Sequence, residues 1–124
     1  LHSKGKLLLT HTDGDNTGLL DEYVKAEVDV ADSICPAPMT KQSLGEIREA
    51  FSGKIAIWGG IAAISVLEDS MTDYEFEKYL DKTLEEAGDG RRLILSIADS
   101  TPPAAKFDRL LTIMKKVKEF GAVK

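Results

Sequence analysis

Four nearly continuous apolar runs, Lys6–Thr12, Val28–Cys35, Lys54–Gly60 and Arg92–Asp99, alternate with stretches whose apolar residues recur every three or four positions. Continuous runs of Leu, Ile, Val and Ala suit strands covered on both faces, whereas a three-to-four period suits helices with one buried side. The first helix is expected over Thr17–Glu27, with Leu19, Leu20, Tyr23 and Val24 inward. The second covers Ser43–Phe51, opened by Ser43 with Glu46 and turned inward through Leu44, Ile47 and Phe51, with Gly53 as its stop. The third covers Asp73–Ala87, opened by Thr72 with Glu75 and striped by Phe76, Leu80 and Leu84. The fourth is expected from Pro102, whose fixed φ suits a first turn, to Gly121, with Phe107, Leu110, Leu111, Met114 and Val117 inward.

The order β-α-β-α-β-α-β-α predicts an α/β fold of parallel strands joined by right-handed crossovers. Ile61–Met71 is an insert before the third helix, read as a loop with a short helical turn at Ser65–Asp69; long loops after strands commonly border a site. Trp58, inside a strand run, is expected in the core or between helices.

Composition narrows the function classes. The chain has 124 residues, enough for one domain with a real core, and a formal charge of −5. That charge disfavours nucleic acid and anionic membranes, both of which call for a basic face. No apolar run approaches the roughly 20 residues of a membrane helix, and no basic-then-apolar leader is seen. One cysteine, Cys35, allows no internal disulfide and fits a reducing cytoplasm. The chain opens at Leu1 and soon enters its first strand, which reads like an excerpt of a longer protein; His2 is expected to be a surface residue.

In a parallel α/β fold, sites form beyond the C-terminal ends of the strands. Those ends carry His11-Thr-Asp13-Gly-Asp15, Cys35-Pro-Ala-Pro-Met39, Gly59-Gly60 and Asp99-Ser-Thr101. The strand period of two turns His11 and Asp13 the same way, so the pair can share a metal ion, with Asp99 as third ligand if the strands adjoin. The competing interpretation makes His11 a satisfied rim histidine and Asp13 a helix cap; Asp15 and Asn16 read as caps. Cys35 has no neighbouring Lys or Arg to lower its pKa and reads as a small apolar side chain. Met39 is a candidate pocket residue, and Gly59-Gly60 permits close backbone approach to a ligand or a tight strand exit. Ser100 and Thr101 are placed to bind an anion at a helix start, or to cap it. Arg109 reads as a partner for an anionic ligand or as half of a surface ion pair.

Taken in order, Lys-Leu-Leu-Leu-Thr-His11-Thr-Asp13-Gly14, the run ending at Cys35-Pro36, Ile-Ala-Ile-Trp-Gly59-Gly60 and Leu-Ser-Ile-Ala-Asp99-Ser-Thr-Pro-Pro103 resemble the C-terminal half of the uroporphyrinogen decarboxylase superfamily. That superfamily includes tetrapyrrole decarboxylases and zinc-dependent, cobalamin-linked methyltransferases. The resemblance spans essentially the whole chain and implies a (βα)4 half of a TIM-type (β/α)8 barrel, a fold of about 250 residues. In the methyltransferase branch the first of these strands ends in His-x-Cys-Gly and the last supplies another cysteine, together holding zinc. Here His11 keeps its place while Asp13 and Asp99 stand where the cysteines would be. Harder oxygen ligands weaken thiolate activation and suit a Lewis-acid role. The arginine-rich segment of the decarboxylase branch has no counterpart here, nor does its Gly-Asn-Leu-Asp-Pro, where Gly59-Gly60-Ile-Ala-Ala stands.

The expectation is therefore a metal-dependent methyltransferase or demethylase acting with a corrinoid, on a partner protein, on a small-molecule substrate. Metal would be held by His11, Asp13 and Asp99, zinc foremost, with Cys35, Met39, Gly59, Gly60 and Ser100 near substrate. A tetrapyrrole decarboxylase and a non-catalytic binding half-barrel are the alternatives. A half-barrel also leaves two open edge strands, Lys6–Thr12 and Arg92–Asp99, and an apolar inner face expected at Leu7, Leu9, Leu93, Leu95 and Ile97. The N-terminal half of a barrel, or a second copy in a homodimer, would cover them.

Overall fold

The computed structural model describes residues 1–122. Four parallel strands, β1 (Leu9–His11), β2 (Val30–Ile34), β3 (Ala56–Ile61) and β4 (Leu93–Ile97), lie side by side in chain order. Helices α1 (Leu20–Lys25), α2 (Leu44–Phe51), α3 (Asp73–Ala87) and α4 (Phe107–Phe120) follow the strands in turn. Each strand lies inside its expected run or within one residue of it.

Two of the helices start where their side chains cap them. Ser43 accepts from the Glu46 N–H while Glu46 accepts from the Ser43 N–H, and Thr72 and Glu75 repeat the pattern. The fourth begins at Phe107, five residues beyond Pro102. Pro102–Ala105 forms a turn instead, closed by the Ala105 N–H on the Pro102 carbonyl, and Ala105 then bridges to Leu67. The Ile61–Met71 insert holds short 3₁₀ turns, Ala63–Val66 and Glu68–Ser70.

Successive helices pack on one another, α1 on α2, α2 on α3 and α3 on α4. A sheet that advances strand by strand with crossovers of one hand places its helices on one face. That face of the sheet is the core. Ala31, Ile34 and Ile57 join Leu20, Tyr23, Leu44, Ile47 and Phe51 in one cluster, and Ile61 joins Val66, Phe76 and Leu80 in a second.

The other face is bare among the described residues. Leu9, Trp58 and Ile94 are 47%, 42% and 50% exposed. Trp58 is thus an open-face residue and not a core one: pairing puts His11, Asp32, Trp58 and Ile94 in one row across the sheet. The parity expected for β4 is reversed as well. Leu93, Leu95 and Ile97 pack toward the helices, leaving Ile94 on the open side. On α4, Leu110 and Ile113 meet the core, while Phe107, Leu111, Met114 and Val117 remain exposed, contrary to the inward stripe read from their spacing.

Candidate functional site

β1 ends on the open face at His11, directly across from Asp32 on β2. His11 Nδ1 lies 2.8 Å from Asp32 Oδ2, and His11 Nε2 lies 3.1 Å from Asp13 Oδ1 and 3.6 Å from Asp99 Oδ1. The shared direction of His11 and Asp13 follows the strand period. Asp99 arrives differently. β1 and β4 are the two edges of the sheet and do not adjoin. Their C-terminal side chains meet across the strand ends, so the third member comes from a strand that is not a neighbour. Asp99 stands just past β4 with φ of 62°, the left-handed region that a non-glycine residue rarely adopts.

A bulge in β2 shapes the rim. The register between β2 and β3 shifts between Asp32 and Ile34, and Ser33 has φ of 65°. An extra residue re-aims the side chains on either side of it. Asp32 stays on the open face beside His11, and Ile34 turns into the core. The Ser33 hydroxyl donates to Asp13 Oδ1 at 2.8 Å, and the Ser33 N–H donates to Asp32 Oδ1 at 2.8 Å. Gly59 accommodates this bulge: a Cβ there would stand 2.6 Å from the Ile34 carbonyl oxygen, and its φ is 141°. Its lack of a side chain is accounted for by that close approach. At Gly60 (φ of 91°) a Cβ would be 3.1 Å from a Leu95 methyl.

Electrostatically the rim is unbalanced, with three carboxylates sharing one imidazole. His11 is raised above the usual histidine range, first by its hydrogen bond to Asp32, and then by the charges of Asp13, Asp32 and Asp99 against an opposing desolvation. One ligand atom each from His11, Asp13 and Asp99 falls within 4.8 Å of the others, close enough to converge on one cation. The set, one nitrogen and two carboxylate oxygens, fits Zn²⁺, Mn²⁺ or Fe²⁺. Asp32 on the far ring nitrogen is the kind of outer partner that fixes a ligating histidine's tautomer and orientation. Sequence reasoning missed Asp32. A signal was present: it is one of two acidic residues, with Asp29, inside the apolar run Val28–Cys35.

The remaining candidates disperse. Cys35, at the end of β2, has its thiol pushed up by burial, with a backbone contact from Ala63 opposing and the Asp99 charge adding to the rise. It is no ready thiolate, and its Sγ lies 3.6 Å from Met39 Sδ. Met39 is exposed. Ser100 and Thr101 precede α4 by several residues, so they flank no helix start; Ser100 Oγ is 3.5 Å from Asp99 Oδ2. Asp13 caps no helix, since α1 opens at Leu19 without a side-chain cap. Asp15 caps the turn at Thr17, and buried Asn16 donates to the Thr12 and Gly14 carbonyls. His2 is a surface partner of Asp29 at 2.7 Å.

Arg109 is neither a ligand residue nor half of a surface pair. It is 3% exposed, and its five N–H donors meet the carbonyls of Ser65, Leu67 and Met71 and the Asp73 carboxylate. It clamps the Ile61–Met71 insert to α4.

Fold and rim together define a parallel α/β protein with an exposed His-Asp-Asp group at its strand ends. Comparison with protein-family models, with curated proteins and with solved structures yields no match to this chain. No helix among the described residues is long and apolar enough to cross a membrane.

Proposed function

We propose that this chain is half of a (β/α)8 barrel of the uroporphyrinogen decarboxylase superfamily type, and that it supplies the metal side of a corrinoid-linked methyltransferase or demethylase. The observation that carries the metal reading is the convergence of His11 Nε2, Asp13 and Asp99, with Asp32 behind the ring. Parallel strands in sequential order and helices on one face support the half-barrel reading.

The donor set fits a divalent ion, held by His11, Asp13 and Asp99, which would supply Lewis acidity. Two carboxylates in place of softer sulfur donors leave that ion less suited to a thiol substrate than to a methoxyl or a water. Around it, Asp32 accepts the Nδ1 proton and keeps Nε2 turned to the mouth. Ser33 holds Asp13 through one hydrogen bond. Cys35, as a neutral thiol, contributes packing and not nucleophilicity.

Metal analysis tests the reading first. Protein incubated with zinc, manganese and iron(II), then desalted, should retain one divalent ion per chain, and His11→Ala should retain none. Equal metal content in both, or none in either, removes the metal-dependent function. Methyl transfer from a methoxylated donor to a free corrinoid, followed by the corrinoid's visible spectrum in the full-length barrel, then tests the reaction class.

A further inference from the structure

Three of the chain's four arginines, Arg48, Arg91 and Arg92, line one hollow at the end of the sheet opposite His11. Arg48 stands in the last turn of α2, and Arg91 and Arg92 lie between α3 and β4. The hollow measures about 650 Å³, and a recess of about 50 Å³ bordered by the same arginines reaches Phe51, Ile55 and Ile57.

The fourth arginine shows what a guanidinium with a purely structural task looks like in this fold. Arg109 is 3% exposed and has a partner for every donor. Arg48 and Arg92 are anchored without being satisfied. Arg48 Nη1 donates to the Arg91 carbonyl at 3.0 Å, while its Nη2 lies 3.6 Å from Asp89 Oδ1, beyond hydrogen-bond distance. Its side chain is only 21% exposed, so this guanidinium has little bulk water to turn to. Arg92 Nη1 donates to the Lys54 carbonyl at 3.1 Å, which uses one of the five donors a guanidinium carries. The Arg92 backbone has φ of 54°, and the Ile57 N–H donates to its carbonyl at 2.8 Å, which fixes where the side chain starts.

Asp89 is the one carboxylate lining the hollow among the described residues, and it lies 3.5 Å from Arg91 Nε. Set against Arg91, it leaves the charges of Arg48 and Arg92 uncompensated. Asp29, whose charge Arg92 also feels, is already held by the Leu8 N–H and by His2. Lys54, exposed on the connection between α2 and β3, raises the local potential further.

We propose that this hollow binds a phosphoryl dianion, either free phosphate or the head of a phosphate monoester. Guanidinium forks match the spacing of phosphoryl oxygens, and two uncompensated guanidiniums match the charge of a dianion. A carboxylate would neutralise only one of them. The apolar side of the recess, Phe51, Ile55 and Ile57, suits the carbon portion of an ester. The inference rests on neither the metal nor the barrel reading.

The test follows the Arg48 and Arg92 Nε–H signals of ¹⁵N-labelled protein as phosphate, phenyl phosphate or acetate is added. Ionic strength is held constant, and a chelator keeps metal away from His11. Phosphate should shift both signals with a Kd below about 1 mM, and acetate should bind about tenfold more weakly or worse. Arg92→Gln should weaken phosphate binding about tenfold, as the loss of one charge-assisted contact. Arg92→Lys should recover part of that loss, since it restores the charge without the fork. Lys41→Gln, beside Asp15 at the other end of the sheet, should change nothing. Circular dichroism checks that each variant folds; Arg92 and Lys41 are exposed, so their substitution leaves the core intact. Signals that stay in place at about 10 mM phosphate overturn the proposal. So do signals that move equally with acetate, or binding indifferent to Arg92→Gln. Tighter binding of phenyl phosphate identifies an ester as the ligand and tighter binding of phosphate the free ion; both uphold the site. With no metal present, failure here leaves the metal reading standing, and failure of that reading leaves this one.

Discussion

Arg109 and His11 each meet carboxylate oxygen at a junction between elements, one carboxylate for Arg109 and three for His11, and the two settings differ in their balance. Arg109 has five donors and five acceptor contacts, three of them main-chain carbonyls, and is almost wholly buried. His11 is exposed, with Asp32 on one ring nitrogen and Asp13 and Asp99 near the other. In the first setting every polar atom of the cation has a partner, and the result is structure: a loop tied to a helix. In the second, negative charge exceeds what a single imidazole can neutralise, and convergent oxygen atoms remain that a cation would satisfy. Balanced polar groups hold a fold together, and unbalanced ones at a rim are available for chemistry.

The largest expected effect breaks the balanced side. Arg109→Ala leaves the Ser65 and Met71 carbonyls without this donor, while the Leu67 carbonyl keeps the Ser70 hydroxyl, and two orphaned groups of this kind cost about 2 kcal/mol together. Urea unfolding measures it. A loss well below about 1 kcal/mol would mean that solvent replaces the guanidinium without penalty. Asp73→Asn should cost much less, because Asp73 is largely solvated on its other side.

Gly59→Ala comes next and acts on the scaffold behind His11. The added methyl meets the Ile34 carbonyl in a backbone conformation unsuited to alanine, so a loss of about 2 kcal/mol is expected, together with displacement of the Ser33 bulge. The nuclear magnetic resonance of His11 should shift in this variant; an unperturbed His11 would separate the bulge from the site.

The two settings should also part company with pH. The folded pKa of His11 is raised, so its contribution to stability is fully present below the unfolded value of 6.5 and fades as pH rises through the higher folded value. Asp73 is lowered, first by its hydrogen bond to Arg109 and then by Lys106, so its contribution is present above the unfolded value of 3.8 and fades as pH falls through the lower folded value. Denaturant midpoints from pH 5 to 9 for the protein and His11→Asn should converge at the alkaline end. Parallel curves would show that His11 gains nothing from its carboxylates. Smallest of all, Asp99→Asn should leave stability nearly unchanged, since Asp99 is exposed and relieves like-charge crowding when neutralised.

Much of this arrangement was legible in the sequence, for reasons particular to each element. α3 was readable to the residue because Thr72 and Glu75 write its start chemically. The strands were readable from continuous apolar runs, yet the same continuity misplaced Trp58 by implying cover on both faces. α4 was read too early because Pro102 suits a first helical turn as well as it suits the turn it makes. His11 and Asp13 were found by strand period, and Asp99 by its place at a strand end. Asp32 required knowledge of register, since only pairing with β2 puts it across from His11. Arg109 required tertiary contacts outright: nothing in its spacing distinguishes a buried clamp from a surface cation.

The most direct test of the rim's role reads the two nitrogens of His11 by ¹⁵N chemical shift as zinc is added, with His2 as internal control. Nε2 should move to a metal-bound shift while Nδ1 stays protonated against Asp32, and His2 should not change. If both nitrogens of His11 stay protonated and ignore zinc, the cluster is a self-contained ion pair and the metal assignment is wrong.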